Sequence, residues 1–243
     1  MAIYTISDLH LSYSVDKPMD IFGSEWFNYM DKIKQNWLRC IKSDDTVVIA
    51  GDISWATYLD ELFWDFDFLQ KLPGQKIILK GNHDYWWETM KKMENYVNKN
   101  NFSSIKFLHN NCFFIENTFI CGTRGWETMD KDSNKNLREQ AEDLKIFKRE
   151  LQRMELSLSC AAEQIKSGNL SEYTTVAALH FPPFSYKGDT EFTEIFKKYK
   201  VDICIYGHLH GDAIRHAKEG NIDGIEYMLV SADKLMFEPR KLK

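Results

Sequence analysis

Short apolar runs that alternate with amphipathic stretches are the feature that most constrains the fold of this 243-residue chain. Five runs are rich in Val, Ile, Phe and Tyr, and each is followed by a polar or glycine-bearing segment: Ala2–Ser7, Thr46–Ala50, Lys76–Lys80, Thr174–Leu179 and Asp202–Tyr206. Because their hydrophobicity is nearly continuous rather than alternating, they are predicted to be strands buried on both faces of a sheet. Glu226–Ser231 is predicted to be a late strand.

Helical periodicity occupies the segments between these runs. Apolar residues recur at helical spacing over Glu25–Lys42, and Asn136–Lys166 is predicted to form one long helix or two joined helices. For that second segment, a cap at Ser133 or Asn134 and a stop at Gly168 are expected.

The order of these elements indicates an α/β fold. Between Ile105 and Cys121, two or three further strands are predicted to form a local meander, with a turn at Glu116-Asn117. No repeat, low-complexity tract or Pro/Gly/Ser-rich linker divides the chain. Residues 1–243 are therefore expected to form one domain, with the helical stretch near 136–166 as an insertion.

Charge and composition argue against several classes of partner. Hydrophobic residues make up 44% of the chain, charged residues make up 28%, and the net charge is −5. This acidic balance argues against a strong non-specific attraction to nucleic-acid phosphates. No apolar run approaches the length of a membrane span, and no signal-peptide pattern is present, so we expect a cytoplasmic protein without a membrane partner. The sequence does not specify an oligomeric state.

The five cysteines are odd in number and scattered: Cys40, Cys112, Cys121, Cys160 and Cys204. None of the pairs has the close spacing of a structural zinc site or a redox motif. Three of the five lie in strand-like runs, where a reduced cysteine behaves as a small hydrophobe. A reducing compartment is expected.

Candidate metal ligands stand where the predicted strands end. Five segments carry them: Asp8-Leu9-His10, Gly51-Asp52, Gly81-Asn82-His83-Asp84, His180 and Gly207-His208-Leu209-His210. Ligand sites of α/β sheets form beyond the carboxyl ends of the strands, so these side chains are expected to meet. Each segment alone is weak, since a strand-end histidine is often satisfied by the backbone. The ordered set of five is what favours a metal site over coincidence.

This set resembles the five motif blocks of the calcineurin-like metallophosphoesterase superfamily, in their usual order over residues 8–210. The resemblance implies a four-layer αββα sandwich of two mixed sheets flanked by helices, with a dinuclear centre at the strand ends. It assigns Asp8, His10, His210 and Asp52 to one metal. It assigns Asn82, His180, His208 and the bridging Asp52 to the other.

Chemistry agrees with that implied assignment. Imidazole, carboxylate and amide ligands suit manganese, iron, zinc or cobalt better than magnesium or calcium. Two such ions about 3.5–4 Å apart are expected to share a water, whose hydroxide form attacks phosphorus in line. His83 matches the family position that contacts the phosphate or protonates the leaving oxygen. Asp84 is expected to hydrogen-bond the other nitrogen of His83 and so to support its cationic form.

Departures from the family pattern narrow the activity. The protein serine/threonine phosphatases continue into an Asp-Arg-Gly block and have Glu after Gly-Asn-His, whereas this chain has Ile53-Ser54 and Asp84. It is more similar to the bacterial branch that includes the class III cyclic-nucleotide phosphodiesterases. We therefore expect a hydrolase of small phosphomonoesters or phosphodiesters. The alternatives are a manganese-dependent nuclease and a catalytically silent binding module.

Several further residues are candidates with a weaker basis. Arg124 is proposed to bind substrate if its loop turns inward, although a structural ion pair is an equal alternative. Leu11–Ser24 is long enough to form a lid. Four tryptophans lie close behind the motif strands: Trp55, Trp86, Trp87 and Trp126. At least two of them are expected to be packing residues. His109 and His216 match no motif and are assigned surface or structural roles.

Overall fold

A computed structural model describes residues 1–17, 19–128, 136–185 and 188–242. Its strands are β1 Ile3–Ile6, β2 Thr46–Ile49, β3 Gln75–Ile78, β4 Ile105–Phe107, β5 Cys112–Ile115, β6 Thr118–Thr123, β7 Thr174–Leu179, β8 Ile203–Tyr206, β9 Gly220–Ile222, β10 Ile225–Leu229 and β11 Arg240–Lys241. Its α-helices are α1 Tyr29–Cys40, α2 Phe63–Lys71, α3 Met90–Lys99, α4 Leu137–Gly168 and α5 Glu191–Tyr199. Short 3-10 segments lie at 20–22, 24–26, 59–62 and 211–216.

The strands form two mixed sheets. The first has the order β11-β1-β2-β3-β4, in which only β11 is antiparallel to its neighbour. The second has the order β5-β6-β7-β8-β10-β9, in which the two edge strands β5 and β9 are antiparallel to theirs. The carboxyl ends of the parallel strands therefore share one edge within each sheet.

Three apolar clusters divide the molecule into four layers. One packs α1, α2 and α3 against the first sheet, and another packs α4 and α5 against the second. The third lies between the sheets and includes Val48 of β2 and Val176 of β7. Successive strand residues point to opposite faces, so strands covered on both sides need apolar residues throughout. This confirms the predicted αββα sandwich and explains the continuous apolar runs.

The predicted meander is only partly correct. β5 and β6 form a hairpin whose turn residues, Glu116 and Asn117, both have positive φ, as the turn prediction requires. β4, however, pairs with β3 in the first sheet and not with β5. The chain therefore crosses from one sheet to the other between Phe107 and Cys112.

Helix α4 occupies nearly the predicted range. Its cap is Asn136, whose Oδ1 accepts the backbone N–H groups of Arg138 and Glu139 at 3.0 and 3.1 Å. The cap candidates Ser133 and Asn134 lie outside the described residues. The helix ends at Gly168, as expected. It connects the adjacent parallel strands β6 and β7, so it is the crossover of a βαβ unit.

None of the described helices combines the length and the apolar composition needed to span a membrane.

Candidate metal centre

The predicted ligands all lie just beyond parallel strands. Asp8 and His10 follow β1, Asp52 follows β2, and Asn82 follows β3. His180 follows β7 directly, and His208 and His210 follow β8. The two sheets meet here through the backbone, since Ser7 donates its N–H to Val230 O at 2.8 Å. The structure thus brings all seven residues to one region.

The backbone at these positions is strained. Asp8, His10, Asp52 and His208 have φ values of 59°, 45°, 51° and 73°. Non-glycine residues rarely adopt this region, and such conformations cluster at functional sites. Hydrogen bonds hold them there: Asp8 N–H donates to Gly51 O at 2.9 Å, and His10 N–H donates to Asp52 O at 3.0 Å.

Two motif glycines are needed because atoms of the site approach them closely. A Cβ at Gly81 would overlap the Asp52 carboxylate, and a Cβ at Gly207 would overlap Ser7 Oγ and the Asp8 carboxylate. The loops after β3 and β8 can therefore close on the carboxylates only if these positions have no side chain.

One group of potential ligand atoms comes from Asp8, His10 and His210. His210 Nε2 lies 3.2 Å from Asp8 Oδ1 and has no hydrogen-bond partner, because the pair is close in distance but lacks hydrogen-bond geometry. His10 Nε2 lies 3.8 Å from Asp52 Oδ2. These three residues and Asp52 are the set that the family resemblance assigns to the first metal.

A second group comes from Asp8, Asp52 and His180. His180 Nε2 lies 3.4 Å from Asp52 Oδ2. Asn82 Oδ1 faces both His180 Nε2, at 2.6 Å, and His208 Nδ1, at 2.9 Å. The two groups share Asp8, yet Asp52 Oδ2 faces His10 of one set and His180 of the other. Both carboxylates are thus placed between the two sets.

His180 tests whether a cation fits this arrangement. Burial lowers the pKa of its imidazole to about 3, so the ring is neutral at pH 7 and carries a single N–H. Both of its nitrogens nevertheless face oxygen acceptors, with Ala50 O 3.1 Å from Nδ1 and Asn82 Oδ1 2.6 Å from Nε2. With the Asn82 amide oriented so that its oxygen faces both His180 and His208, one nitrogen lone pair of His180 points at an oxygen. A cation bound by Nε2 and Asn82 Oδ1 removes that repulsion, so the residues fit a metal.

The carboxylates point to the same conclusion. Asp8 and Asp52 are both buried. Burial would raise the pKa of Asp8, but the nearby His210 holds it below its ordinary value. Burial and then the charge of Asp8 raise the pKa of Asp52. A bound cation would relieve that repulsion and let both carboxylates ionise.

Asp233 belongs to this region and was not predicted. Its Oδ1 lies 2.9 Å from His210 Nδ1, and its Oδ2 accepts the Gly211 N–H at 3.1 Å. Its side chain is only 3% exposed. Asp233 lies beyond β10, which pairs in parallel with β8. The strand-end rule would have found it if it had been applied to the predicted late strand.

His83 lies at the site, but Asp84 does not support it in the way that was expected. His83 Nδ1 is buried without a hydrogen-bond partner, whereas the Asp84 carboxylate accepts N–H groups from Gly81, Ile53, Ser54 and the Trp86 indole at 2.7–3.4 Å. The predicted Asp84–His83 hydrogen bond is therefore wrong. Three of the four donors are backbone N–H groups, two from the loop after β2 and one from the loop after β3. Asp84 therefore holds those two loops together. Burial lowers the pKa of His83.

Arg124 lies beside His180. Its carbonyl accepts the N–H groups of His180 and Phe181 at 3.0 and 2.9 Å, and its side chain is 16% exposed. The guanidinium stacks on Trp126 at 4.3 Å and approaches Glu150 at 3.7 Å, while its Nε has no partner. The predicted ion pair is present, and one donor atom remains available.

Aromatic residues pack beside His10, the proposed ligand that follows β1. Trp55 stacks on His10 with ring centroids 4.8 Å apart and lies 4.7 Å from His83. Lys17, in the predicted lid, places its ammonium group 4.2 Å above Trp55. Pro18 of that segment lies outside the described residues. Trp86 is a core residue and so confirms one of the expected packing tryptophans.

The two unassigned histidines lie apart from the ligand groups. The His109 ring lies 6.2 Å from the Trp87 ring, and its backbone N–H donates to Asn111 Oδ1 at 2.7 Å. His216 is exposed at the end of the 3-10 segment 211–216. Neither belongs to a described group of potential metal ligands.

Comparison with known proteins bears on the family and the fold. The family model described as calcineurin-like phosphoesterase matches residues 1–212. No curated protein matches the chain. The fold resembles the crystal structure of phosphopantetheinyl hydrolase from Mycobacterium tuberculosis, with a TM-score of 0.55 and 17% identity over 99% of this chain and 95% of that one. A protein of unknown function from Aquifex aeolicus has a TM-score of 0.50, with the same identity and coverage.

Proposed function

This chain belongs to the calcineurin-like phosphoesterase family, and we propose that it hydrolyses small phosphomonoesters or phosphodiesters at a centre of two divalent transition-metal ions. The observation that carries the proposal is the convergence of seven strand-end ligands into two overlapping groups around two buried carboxylates. Manganese, iron and zinc all suit this mixture of imidazole, carboxylate and amide donors.

The proposed ligand sets follow the contacts. Asp8, His10, His210 and Asp52 would hold one ion, and Asn82, His180, His208 and Asp52 would hold the other. Asp233 accepts a hydrogen bond from His210 Nδ1, and His210 Nε2 then faces Asp8. Ala50 O does the same for His180 Nδ1. Without a metal, burial would lower the pKa of His210, but Asp8 and Asp233 raise it to about 10, so metal binding there would displace the proton of Nε2. The oxygens of Asp233 and Ala50 would then hold the tautomer that directs each Nε2 into the centre.

The remaining polar groups act on the substrate. When bound, two divalent ions supply Lewis acidity and a water that ionises near neutral pH. His83 offers an unpartnered ring nitrogen beside Asp52, whose Oδ1 accepts the His83 backbone N–H at 2.8 Å. We propose that this ring nitrogen of His83 donates a hydrogen bond to a phosphoryl oxygen of the substrate. Arg124 supplies a cationic contact from the opposite sheet, through the Nε that has no partner in the ion pair with Glu150.

Turnover of aryl phosphate esters tests the proposal. The metal-free protein, given manganese, is expected to hydrolyse nitrophenyl phosphate or bis-nitrophenyl phosphate, and a chelator should abolish the activity. Asp52→Asn, purified by the same protocol, is expected to lose both activity and metal. Asp60→Asn removes an exposed carboxylate outside the site and should behave like the wild type.

Two results would contradict the proposal. Activity that persists after exhaustive metal removal would exclude a metal-dependent mechanism, and equal activity in Asp52→Asn would identify a contaminant. A panel of diesters, monoesters, single-stranded DNA and a phosphopantetheinyl ester would then define the substrate. The last is included because a protein of the same fold is named as a hydrolase for that group.

A further inference from the structure

We propose that Cys112 and Cys160 form a reversible disulfide, an oxidation site outside the phosphoesterase centre. Cys112 opens the edge strand β5, and Cys160 lies on α4, 48 residues further along the chain. Helix α4 packs against β5 and β6, so the two thiols meet across a helix–sheet interface. Their distance in sequence is why no motif spacing reveals the pair.

The two sulfur atoms lie close to the separation of a disulfide bond. The two Sγ atoms lie 2.8 Å apart, so they need to approach by only about 0.8 Å to reach the disulfide length of about 2.05 Å. Both residues are half-buried, so a small oxidant can reach them. Gln164, one turn after Cys160, places its amide Nε2 3.2 Å from Cys112 Sγ and 3.5 Å from Cys160 Sγ. A hydrogen bond with Cys121 and burial raise the pKa of the Cys112 thiol, and burial and Cys112 raise the pKa of the Cys160 thiol. Against that rise, the Gln164 amide lowers the pKa of Cys160, so Cys160 is the favoured attacking thiolate.

The other cysteines lack this arrangement. Cys121 and Cys204 are buried. Cys40 is half-buried, but its Sγ faces the Glu238 carboxylate at 3.4 Å and not a second thiol. Cys121 faces Cys112 across the β5–β6 ladder, and is therefore the competing partner that a test must distinguish.

The chemistry requires a disulfide oxidant, for which oxidised glutathione is the probe. One cysteine thiolate attacks a glutathione sulfur, which forms a mixed disulfide and releases one glutathione thiolate. The second cysteine thiolate then attacks the protein sulfur of that mixed disulfide, forms the Cys112–Cys160 bond and releases the second glutathione thiolate. Two electrons pass from the protein to glutathione, and the two thiol protons end on the released glutathione.

The experiment equilibrates the full-length protein with glutathione buffers, from fully reduced to fully oxidised, and then blocks the remaining thiols. The number of free thiols should fall from five to three, and non-reducing peptide mapping should find Cys112 linked to Cys160. Oxidised protein should unfold at a higher urea concentration, because the bond closes a 48-residue loop of the unfolded chain. Dithiothreitol should reverse both changes.

Serine variants of single cysteines identify which thiols form the disulfide. Cys160→Ser and Cys112→Ser should each abolish the cross-link and the urea shift, whereas Cys40→Ser should retain both. A Cys112–Cys121 bond, glutathione attached only at Cys40, or five free thiols in fully oxidised glutathione would each overturn the proposal. The wild-type mapping gives this answer even if one serine variant fails to fold. None of these measurements depends on the metal centre.

Discussion

At the scale of single residues, His210 is the proposed ligand with a carboxylate behind it. Asp233 accepts from its Nδ1, whereas His180 relies on a backbone carbonyl and His10 Nδ1 is buried without a partner. A carboxylate behind a histidine ligand fixes the ring and raises its basicity. Asp233 lies outside residues 1–212, the range of the family match. The role of Asp233 therefore follows from the contacts alone.

Asp233→Ala should weaken one metal site selectively. We expect about a 10–100-fold loss of affinity for one of two ions, since the His210 ring loses its orientation. Titration calorimetry with manganese, supported by elemental analysis, would measure both sites without any substrate. Asp212→Ala, which removes an exposed carboxylate nearby, should leave both affinities unchanged. An equal loss at both sites would show that Asp233 supports the fold rather than His210.

His83→Ala should slow turnover while both metals remain bound. Removal of a hydrogen bond to a phosphoryl oxygen is expected to cost about 10²–10³-fold in kcat, and the loss should be similar for nitrophenyl and alkyl esters. A general acid would instead give its largest loss with alkyl esters, whose leaving oxygen needs a proton. Elemental analysis of the variant is the control. Metal loss on substitution would mean that His83 is a ligand.

At the level of elements, the long periodic helix and the buried apolar strands were predicted well, whereas the pairing of the short strand β4 was not. Helix α4 was predicted to within a few residues because its apolar periodicity extends over many turns. Its cap was misplaced because Asn136, with Glu139 three residues later, was not recognised as a capping box. β4 has only three residues, and nothing in so short a segment specifies which sheet it joins. That choice is made by tertiary packing.

Strand β3 contains a buried charge that the sequence analysis placed within an apolar run. Lys76 is fully buried, and its ammonium group donates to the carbonyls of Leu72 and Gly74 and to Ser104 Oγ. No carboxylate pairs with it among the described residues. The three acceptors match its three N–H donors, which is how the interior accommodates the group.

The buried lysine is expected to make the free energy of unfolding change with pH in the alkaline range. Burial lowers the pKa of Lys76 to about 8, whereas in the unfolded chain it is about 10.4. Between these values the unfolded chain binds more protons, so the free energy of unfolding should rise with pH, by at most about 3 kcal/mol. Urea unfolding from pH 7 to 10 should show this rise in wild type but not in Lys76→Met. Lys106→Met, on the exposed face of β4, should retain it.

At the level of the complete fold, the convergence of the candidate ligands was predictable because it depends on topology more than on detail. Parallel strands place their following loops together, so ordered motifs at strand ends indicated side chains that meet. What the sequence did not reveal were contacts between distant segments: Asp233 with His210, and Asp84 with the loop after β2. These depend on side-chain geometry in the folded state, for which neither spacing nor periodicity carries a signal.

The proposed ligand sets also have a consequence for the two sheets. Each ion would take ligands from both: Asp8 and His10 with His210 for one, and Asn82 with His180 and His208 for the other. In the protein itself, Asp8 Oδ2 accepts the His208 N–H at 3.0 Å across the same junction. Metal binding should therefore stabilise the association of the sheets, as any ligand that binds only the folded state does.

Hydrogen exchange would measure this coupling. Manganese is expected to slow exchange at the strand ends of both sheets together, including the N–H groups that Asp8 donates to Gly51 O and Gly207 donates to His180 O. The β5–β6 hairpin turn, which contributes no ligand, serves as the internal control and should be unaffected. In Asp52→Asn the protection should be lost in both sheets at once, because Asp52 Oδ2 faces His10 on one side and His180 on the other. Protection confined to one sheet would contradict ligand sets drawn from both.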